Sequence, residues 1–327
     1  MSMIVNRRDV DFMFYEALDL DKLLASERYA DHDRESLDAM LSLCQSIAEE
    51  EFLPSAAKLD ANEPQFIDGA VKTIPELKQG INAYRDAGLC TSGYDADIGG
   101  MQLPWMVDQA LNGMFVCANN PIHTYLFLTQ GVANMLNVCG SDELKAKYLN
   151  KLVEGEWFGT MCLSEPQAGS SLADIRSKAE PLADGSYKIS GTKMWISGGE
   201  QDLSDNIIHM VLAKVPNGPD GVKGISLFLV PKRRVNDDGT LGESNNIALA
   251  GLNHKMGNRG TTNTLLNFGE GKFKVQTDNT ASDGSGAVGY LVGEPGRGLS
   301  YMFHMMNEAR IGVGMAATML GMAGYEA

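Results

Sequence analysis

Apolar residues recur at helical spacing in the first half of the chain. The pattern predicts helices over residues 34–52, 74–87, 105–118, 123–138 and 142–153. The first two are amphipathic, as expected of helices with one face in a core. The third and fourth are apolar on nearly every side, which is typical of helices inside a core. The acidic, partly apolar residues 1–35 predict a short extension packed on the surface of the fold.

Near Trp157 the period changes from helical to alternating, which indicates strands. The predicted strands cover residues 158–163, 187–190, 193–197, 206–215, 224–230, 246–250 and 262–268. Residues 277–287 are of low complexity and predict a mobile loop. From Gly298 the spacing is helical again, and no stop signal follows. We therefore expect the chain to end inside a helix, as a fragment of a longer protein.

Composition and charge narrow the class of protein. The 327 residues are 44% hydrophobic and 21% charged, which is typical of a soluble globular protein with two or three domains. The net charge of −15 argues against sequence-independent binding of nucleic acid or anionic membrane. Five scattered cysteines favour free thiols over disulfides or a zinc site. Because neither a signal peptide nor a membrane-spanning run is visible, we expect a cytoplasmic protein.

The candidate chemistry is concentrated in residues 158–199, FGTMCLSEPQAGSSLADIRSKAEPLADGSYKISGTKMWISGG. A short strand leads into a loop with Gly169 and Ser170, which can offer backbone N–H groups and a hydroxyl to a phosphate. A hairpin then leads to Trp195 and Ser197, which share one face of an extended chain. An aromatic plate beside a hydrogen-bond donor suits a flat heteroaromatic ring that is stacked and also polarised.

The order strand, S-E-P-x-A-G-S loop, hairpin and G-T-K-M-W-I-S-G-G resembles the flavin-binding signature of the acyl-CoA dehydrogenases. The later segments IALAGLNHKMG, GYLVGEPGRGL and MNEARIGVG match further landmarks of that family, and the extension is similar to its longer bacterial branch. The resemblance implies an α+β fold with an N-terminal helical domain, a middle β-barrel-like domain and the start of a C-terminal helical bundle. The expected domains are residues 1–35 (extension), 36–156, 157–296 and 297–327.

The resemblance also implies roles for individual residues. Contacts with FAD are implied for Met161, Leu163, Ser164, Gly169, Ser170, Trp195, Ile196 and Ser197. Contacts with the acyl-CoA substrate are implied for Ser170, Asn307 and Arg310. Trp195 would cover the dimethylbenzene side of the flavin, and Ser197 would donate toward N5. Arg310, on an apolar helix, is equally compatible with a buried ion pair.

No catalytic base is assigned within the chain. In the family a carboxylate removes the α-proton of the thioester, and in one branch that glutamate directly precedes the arginine of the helix that here holds Arg310. Ala309 occupies that position. Glu308 is adjacent, but one residue along a helix turns the side chain by about 100°. More often the glutamate of the family lies in a later helical region, so we expect the base to lie outside residues 1–327. The five histidines form no metal-binding motif.

The function implied by the resemblance is FAD-dependent α,β-dehydrogenation of an acyl-CoA to the trans-2-enoyl-CoA. Electrons would pass to an electron-transfer flavoprotein, and the enzyme would be a homo-oligomer, a dimer or tetramer. Two alternatives stay open: an alkylation-response-type flavoprotein that binds DNA through a later basic region, and a catalytically silent fragment. The basic run at residues 231–234 is more typical of a solvated strand end than of a nucleic-acid patch.

Overall fold

The computed structural model describes Ser2, residues 4–272 and residues 285–326. The chain divides into two compact units. The first consists of Met1–Asn62, Ile74–Thr124 and Arg310–Ala327, and the second of Glu63–Thr73 and Tyr125–Ala309. The loop predicted over residues 277–287 lies outside the described residues, apart from its last three positions.

Every helix predicted from apolar spacing is present. Helices α1–α9 cover Arg7–Asp11, Leu20–Leu24, Arg34–Ile47, Ala56–Ala61, Pro75–Asp86, Trp105–Cys139, Asp142–Leu144, Asn150–Val153 and Gly298–Glu326. Wider π-helical turns cover Phe12–Ala17, Ala48–Phe52 and Lys145–Leu149. The second of these continues α3, and the third joins α7 to α8, so each predicted helix is one continuous helical path. Among the described residues, no helix is both long and apolar enough to cross a membrane.

The first unit has an aromatic core against α6. The ring of Phe115 lies 4.8 Å from the rings of both Phe52 and Tyr84. Helix α6 loses helical geometry at Asn119 (φ −163°, ψ 86°), two residues before Pro121. Proline lacks the N–H of the helical ladder and clashes with the preceding turn, which explains the break. The two core helices predicted from the sequence are therefore the two halves of α6.

The N-terminal extension is largely helical and packs within the same unit. Phe14 and Leu20 are buried, whereas Leu18 between them is exposed. The guanidinium of Arg34, at the start of α3, lies 3.9 Å from the centre of the Tyr15 ring. The contact of Tyr15 with Arg34 thus connects this segment to α3.

Twelve strands lie in the second unit as far as the structure describes it. Strands β1–β12 cover Gln65–Ile67, Ala70–Lys72, Phe158–Cys162, Lys178–Pro181, Tyr187–Ser197, Ile207–Lys214, Ile225–Pro231, Arg233–Val235, Leu241–Ser244, Ile247–Leu252, Asn263–Phe268 and Ala287–Val292. Every predicted strand is present, and the two segments predicted over 187–197 form the single strand β5. The prediction missed β1, β2, β4, β8, β9 and β12, most of which are too short to show a period.

Five of these strands close into a barrel. Strand β5 pairs with β12, β12 with β7, β7 with β6, β6 with β4, and β4 returns to β5. Strand β3 runs parallel to β6 outside this ring, and β11 and β10 extend the sheet from β5. Apolar residues such as Ile189, Val211 and Phe228 fill the core. The expected middle β-barrel is confirmed.

Candidate functional site

The loop after β3 is fastened to the end of β5. The backbone N–H of Met194 donates to the carbonyl of Ser164 over 3.0 Å. The ammonium of Lys193 donates to the carbonyl of Leu163, also over 3.0 Å. The two halves of the sequence signature, which are thirty residues apart, therefore lie side by side.

The place where the loop after β3 meets the end of β5 is a junction between the two segments. Glu165 and Lys193 form a buried ion pair at its centre. The ammonium lies 2.9 Å from the carboxylate, and the two side chains are 0% and 3% exposed. The same carboxylate accepts from the backbone N–H and hydroxyl of Ser177, at 3.0 and 2.6 Å. It also accepts from the N–H of Arg176 and the amide of Gln167, at 2.6 and 2.7 Å. One carboxylate thus holds both ends of the loop over residues 165–177.

The hydrogen bonds and the neighbouring charge decide the ionisation of Glu165. Burial alone would raise the pKa of the carboxyl, but the Lys193 ammonium and the loop donors lower the pKa of Glu165 to about 2. Burial also lowers the pKa of Lys193, against the opposing effect of Glu165. Because each charge compensates the other, the pair is ionised and internally satisfied. Neither residue is among those predicted from the sequence, although a lysine in phase with the buried Ile189 of β5 is a signal of a buried charge.

Trp195 has an unusual backbone conformation that exposes its indole. The residue has φ +65°, and its side chain is 57% exposed. In the pairing of β5 with β11, the register shifts between Thr264 and Leu266, whose partners are Ile196 and Lys193. Met194 and Trp195 therefore stand opposite one residue, as in a β-bulge. The bulge turns the indole outward, while Ile196 beyond it is buried.

The hydroxyls that the sequence placed in the site are uncommitted. The hydroxyls of Ser164, Ser170 and Ser197 have no hydrogen-bond partner among the described residues. Gly169 and Ser170 are exposed, and a Cβ at Gly169 would meet no atom within 4 Å. The loop therefore offers an open backbone and donors that protein groups have not taken up.

The apolar members of the predicted site are partly accessible. Met161 and Leu163 are half-buried beside the junction, on β3 and directly after it. Ile196 differs, because it is 2% exposed and belongs to the hydrophobic core of the second unit. A cofactor contact by Ile196 would therefore come from its backbone. The carbonyl of Ile196 accepts from the Thr264 hydroxyl over 2.9 Å.

The predicted substrate residues lie on α9. Asn307 and Arg310 are both exposed and belong to different compact units. Glu308, the carboxylate nearest the position of the expected base, accepts from the side-chain amide of Asn134 over 2.9 Å. The roles of Asn307 and Arg310 toward acyl-CoA stay predictions.

A second buried polar group in the same unit is the imidazole of His209. His209 is fully buried, its Nδ1 lies 2.8 Å from the Thr160 hydroxyl, and its ring meets Phe268 edge-on at 5.9 Å. Burial, together with the charge of Lys232, lowers the pKa of His209 to about 3, so the imidazole is neutral. Within the described residues, no group of three or more His, Cys, Asp or Glu residues could hold a metal ion.

The donor set of the junction fits FAD. An exposed indole next to the Ser197 hydroxyl can cover and polarise a flat ring, and Ser164 adds a donor from the facing loop. The open Gly169–Ser170 backbone can approach a pyrophosphate, which needs several donors at once. The residues that would hold the ring and those that would hold the phosphates are therefore distinct, as a dinucleotide requires.

Comparison with known proteins gives consistent results. Residues 34–156 match the description "Acyl-CoA dehydrogenase, N-terminal domain" and residues 160–270 match "Acyl-CoA dehydrogenase, middle domain". The chain is 35% identical to 3-methylmercaptopropionyl-CoA dehydrogenase of Ruegeria pomeroyi over 319 residues, 98% of this chain and 52% of the relative. It is also 35% identical to a butyryl-CoA dehydrogenase of Syntrophomonas wolfei, over 98% of this chain and 52% of that protein.

A solved structure, the acyl-CoA dehydrogenase of Bacillus anthracis complexed with FAD, has a similar fold. The TM-score is 0.64 at 20% identity, covering 88% of this chain and 42% of that one. The chain spans about half the length of the curated relatives it matches.

Proposed function

Because the chain belongs to the acyl-CoA dehydrogenase family, we propose that the complete protein oxidises an acyl-CoA thioester to its trans-2-enoyl-CoA. The observation that carries this proposal is the outward-turned Trp195 beside the uncommitted hydroxyls of Ser164 and Ser197. Members of the family are FAD flavoproteins, and the site has the stacking surface and donors for this cofactor.

The residues of the site would hold and polarise the ring system. Trp195 would cover one side of it and exclude water, and the Ser197 hydroxyl would donate toward N5. Ser164 would donate on the pyrimidine side, while Gly169 and Ser170 would hold the pyrophosphate. Bound FAD supplies the acceptor for the hydride that leaves Cβ of the substrate.

Removal of the α-proton needs a carboxylate and a stabilised thioester carbonyl. Hydrogen bonds that strengthen as enolate charge develops on the carbonyl oxygen lower the barrier. Glu308 is held by Asn134, on α6, and we propose that another carboxylate of the complete protein takes the proton. Ser170, Asn307 and Arg310 would contact the acyl-CoA.

The proposal extends to partners and location. Electrons would pass to an electron-transfer flavoprotein, and the enzyme would work in the cytoplasm. All five cysteines are free thiols, which suits a reducing compartment.

Anaerobic titration of the full-length protein with short-, medium- and long-chain acyl-CoA thioesters tests the function. We expect bleaching of the flavin spectrum by at least one thioester, with the chain length of the best substrate read from the same panel. Trp195→Ala should weaken FAD retention about fivefold or more, since a lost aromatic contact is worth about 1 kcal/mol beyond burial. Glu308→Gln is the matched control and should still bleach.

Other results would contradict parts of the proposal. Bleaching abolished in Glu308→Gln would identify Glu308 as the base. Salt-dependent DNA binding without bleaching would favour the alkylation-response alternative. A full-length protein that binds FAD but reacts with no thioester would favour a catalytically silent role.

A further inference from the structure

A cleft of about 250 Å³ opens on the second unit, next to the hairpin β1–β2 and the segment between β10 and β11. Its polar and charged lining includes Glu63, His254, Lys255, Arg259, Thr262 and Asn263. Asn263 pairs in register with Ser197 at the end of β5. The cleft therefore adjoins the strand end that carries Trp195, but its residues have no part in the function proposed above.

The cleft carries more positive than negative charge. Its carboxylate, Glu63, accepts from Nδ1 of His254 at 2.8 Å and from Nε of Arg259 at 3.1 Å. This leaves the terminal nitrogens of Arg259 without a protein partner among the described residues. In a chain of net charge −15, such a local excess of cations needs an explanation.

Lys255 adds a second cation that no carboxylate neutralises directly. Its ammonium donates to the backbone carbonyl of Asn258, and within the described part of the chain it forms no salt bridge. Burial lowers the pKa of Lys255 to about 8, against the weaker opposing effect of Glu63. An anion in the cleft would supply the compensating charge.

Thr262 provides an independent sign of a missing partner. The residue is 2% exposed, and its hydroxyl has no hydrogen-bond partner in the described structure. Its backbone groups are satisfied: the N–H donates to the hydroxyl of Tyr125 at 2.9 Å, and the carbonyl accepts from Gly198 at 3.0 Å. Buried hydroxyls without partners are uncommon, because they lose their hydrogen bonds to water.

We propose that this cleft binds a phosphoryl group. A guanidinium with uncommitted nitrogens, a half-buried ammonium and an unpartnered hydroxyl are the donors that a tetrahedral oxyanion with several acceptor oxygens uses. A carboxylate, with two oxygens in one plane, would satisfy fewer of them. Free inorganic phosphate and the phosphate monoester of a nucleotide share this chemistry.

Calorimetric titration and thermal unfolding of the full-length protein at constant ionic strength distinguish these sources. The ligands are inorganic phosphate, adenosine 5′-monophosphate and succinate. We expect phosphate to bind and to raise the Tm. Tighter binding of the monophosphate would identify a nucleotide ester as the ligand, and tighter binding of phosphate would identify the free ion. Equal or tighter binding of succinate would overturn the proposal.

Variants connect the binding to these residues. Arg259→Gln should weaken phosphate about tenfold or more, as expected when a charged hydrogen bond is lost. Thr262→Val should weaken phosphate several-fold but leave the Tm without phosphate unchanged or higher, since an unsatisfied hydroxyl is removed. Loss of phosphate response together with a lower ligand-free Tm would contradict the assignment of Thr262.

Matched controls separate the site from general effects. Thr264→Val lies two residues further along the chain and removes a hydroxyl that donates to the Ile196 carbonyl. It should lower the Tm and keep the phosphate response. Lys223→Gln removes a cation from a turn elsewhere on the surface. It should change neither the Tm nor the phosphate response. Phosphate binding that is unaffected by both Arg259→Gln and Thr262→Val would overturn the proposal.

Discussion

At the residue scale, the ion pair of Glu165 and Lys193 determines the geometry of the candidate site. Burying two charges costs free energy, which is offset when both are paired and hydrogen-bonded. Here five donors surround the carboxylate, from Lys193, Ser177, Arg176 and Gln167. The pair therefore fixes the position of Ser164 and the Gly169–Ser170 loop relative to β5.

Glu165→Gln should destabilise the protein by about 3 kcal/mol, because it leaves a buried ammonium without a counter-charge. Urea unfolding would measure this loss. The double variant Glu165→Gln with Lys193→Met should recover a large part of it, since no buried charge remains. Equal losses in the single and double variants would contradict the account.

The stability loss caused by Glu165→Gln should depend on pH, in a direction that follows from the pKa of Glu165. Folding lowers the pKa of Glu165 from 4.5 to about 2. The carboxylate's contribution is therefore complete above the unfolded pKa and is lost as the pH falls toward the folded one. The stability difference between wild type and Glu165→Gln should therefore shrink between about pH 5 and about pH 2. A constant difference across this range would show that the charge is unimportant.

At the element scale, the bulge in β5 decides what the strand presents. A regular strand would place Trp195 on the same face as the buried Lys193. The extra residue opposite Leu265 reverses this relation and turns the indole outward. The left-handed φ at a bulky aromatic residue is costly, about 1–2 kcal/mol, and such strain is concentrated at functional sites.

Replacement of Trp195 by glycine and by alanine should separate the strain from the indole. Without cofactor, Trp195→Gly should be more stable than Trp195→Ala by about 1 kcal/mol, because glycine adopts φ +65° without steric cost. Thermal unfolding of the two apo variants measures the difference. Ser190 also lies on β5 but does not have a positive φ. At this control position the alanine variant should be more stable than the glycine variant. Trp195→Ala as stable as Trp195→Gly would show that the bulge relaxes.

At the scale of the whole molecule, apolar side chains remain uncovered on α9. Ile311, Val313 and Tyr325 are among the exposed large apolar residues. Ile311 and Val313 are two residues apart and therefore point to nearly opposite sides of the helix, so apolar groups are exposed on more than one face of α9. The chain also spans about half the length of its curated relatives.

We predict that the full-length protein is a homo-oligomer, a dimer or tetramer. An exposed apolar surface of this kind is stabilised when a second copy or another part of the protein covers it. Light scattering coupled to size-exclusion chromatography gives the mass in solution. A stable, flavin-loaded monomer of the full-length protein would contradict this prediction.

The sequence by itself determined the helices, the longer strands and the place of the candidate site. These follow from local periodicity and from a signature in which Gly169, Ser170, Trp195 and Ser197 are close along the chain. Short strands such as β4 and β8 carry no period, so only pairing with neighbours reveals them. Strand β4 nevertheless closes the barrel between β5 and β6.

The tertiary structure alone decided the outward turn of Trp195, the hydrogen bonds by which Glu165 holds the loop over residues 165–177, and the charged cleft. The bulge depends on the register of β5 with β11, which is a property of two strands and not of one. Glu165 and Lys193 are 28 residues apart, and Glu63 and Arg259 are 196 residues apart. Charge compensation is a matter of distance in space, and periodicity along a chain contains no information about it.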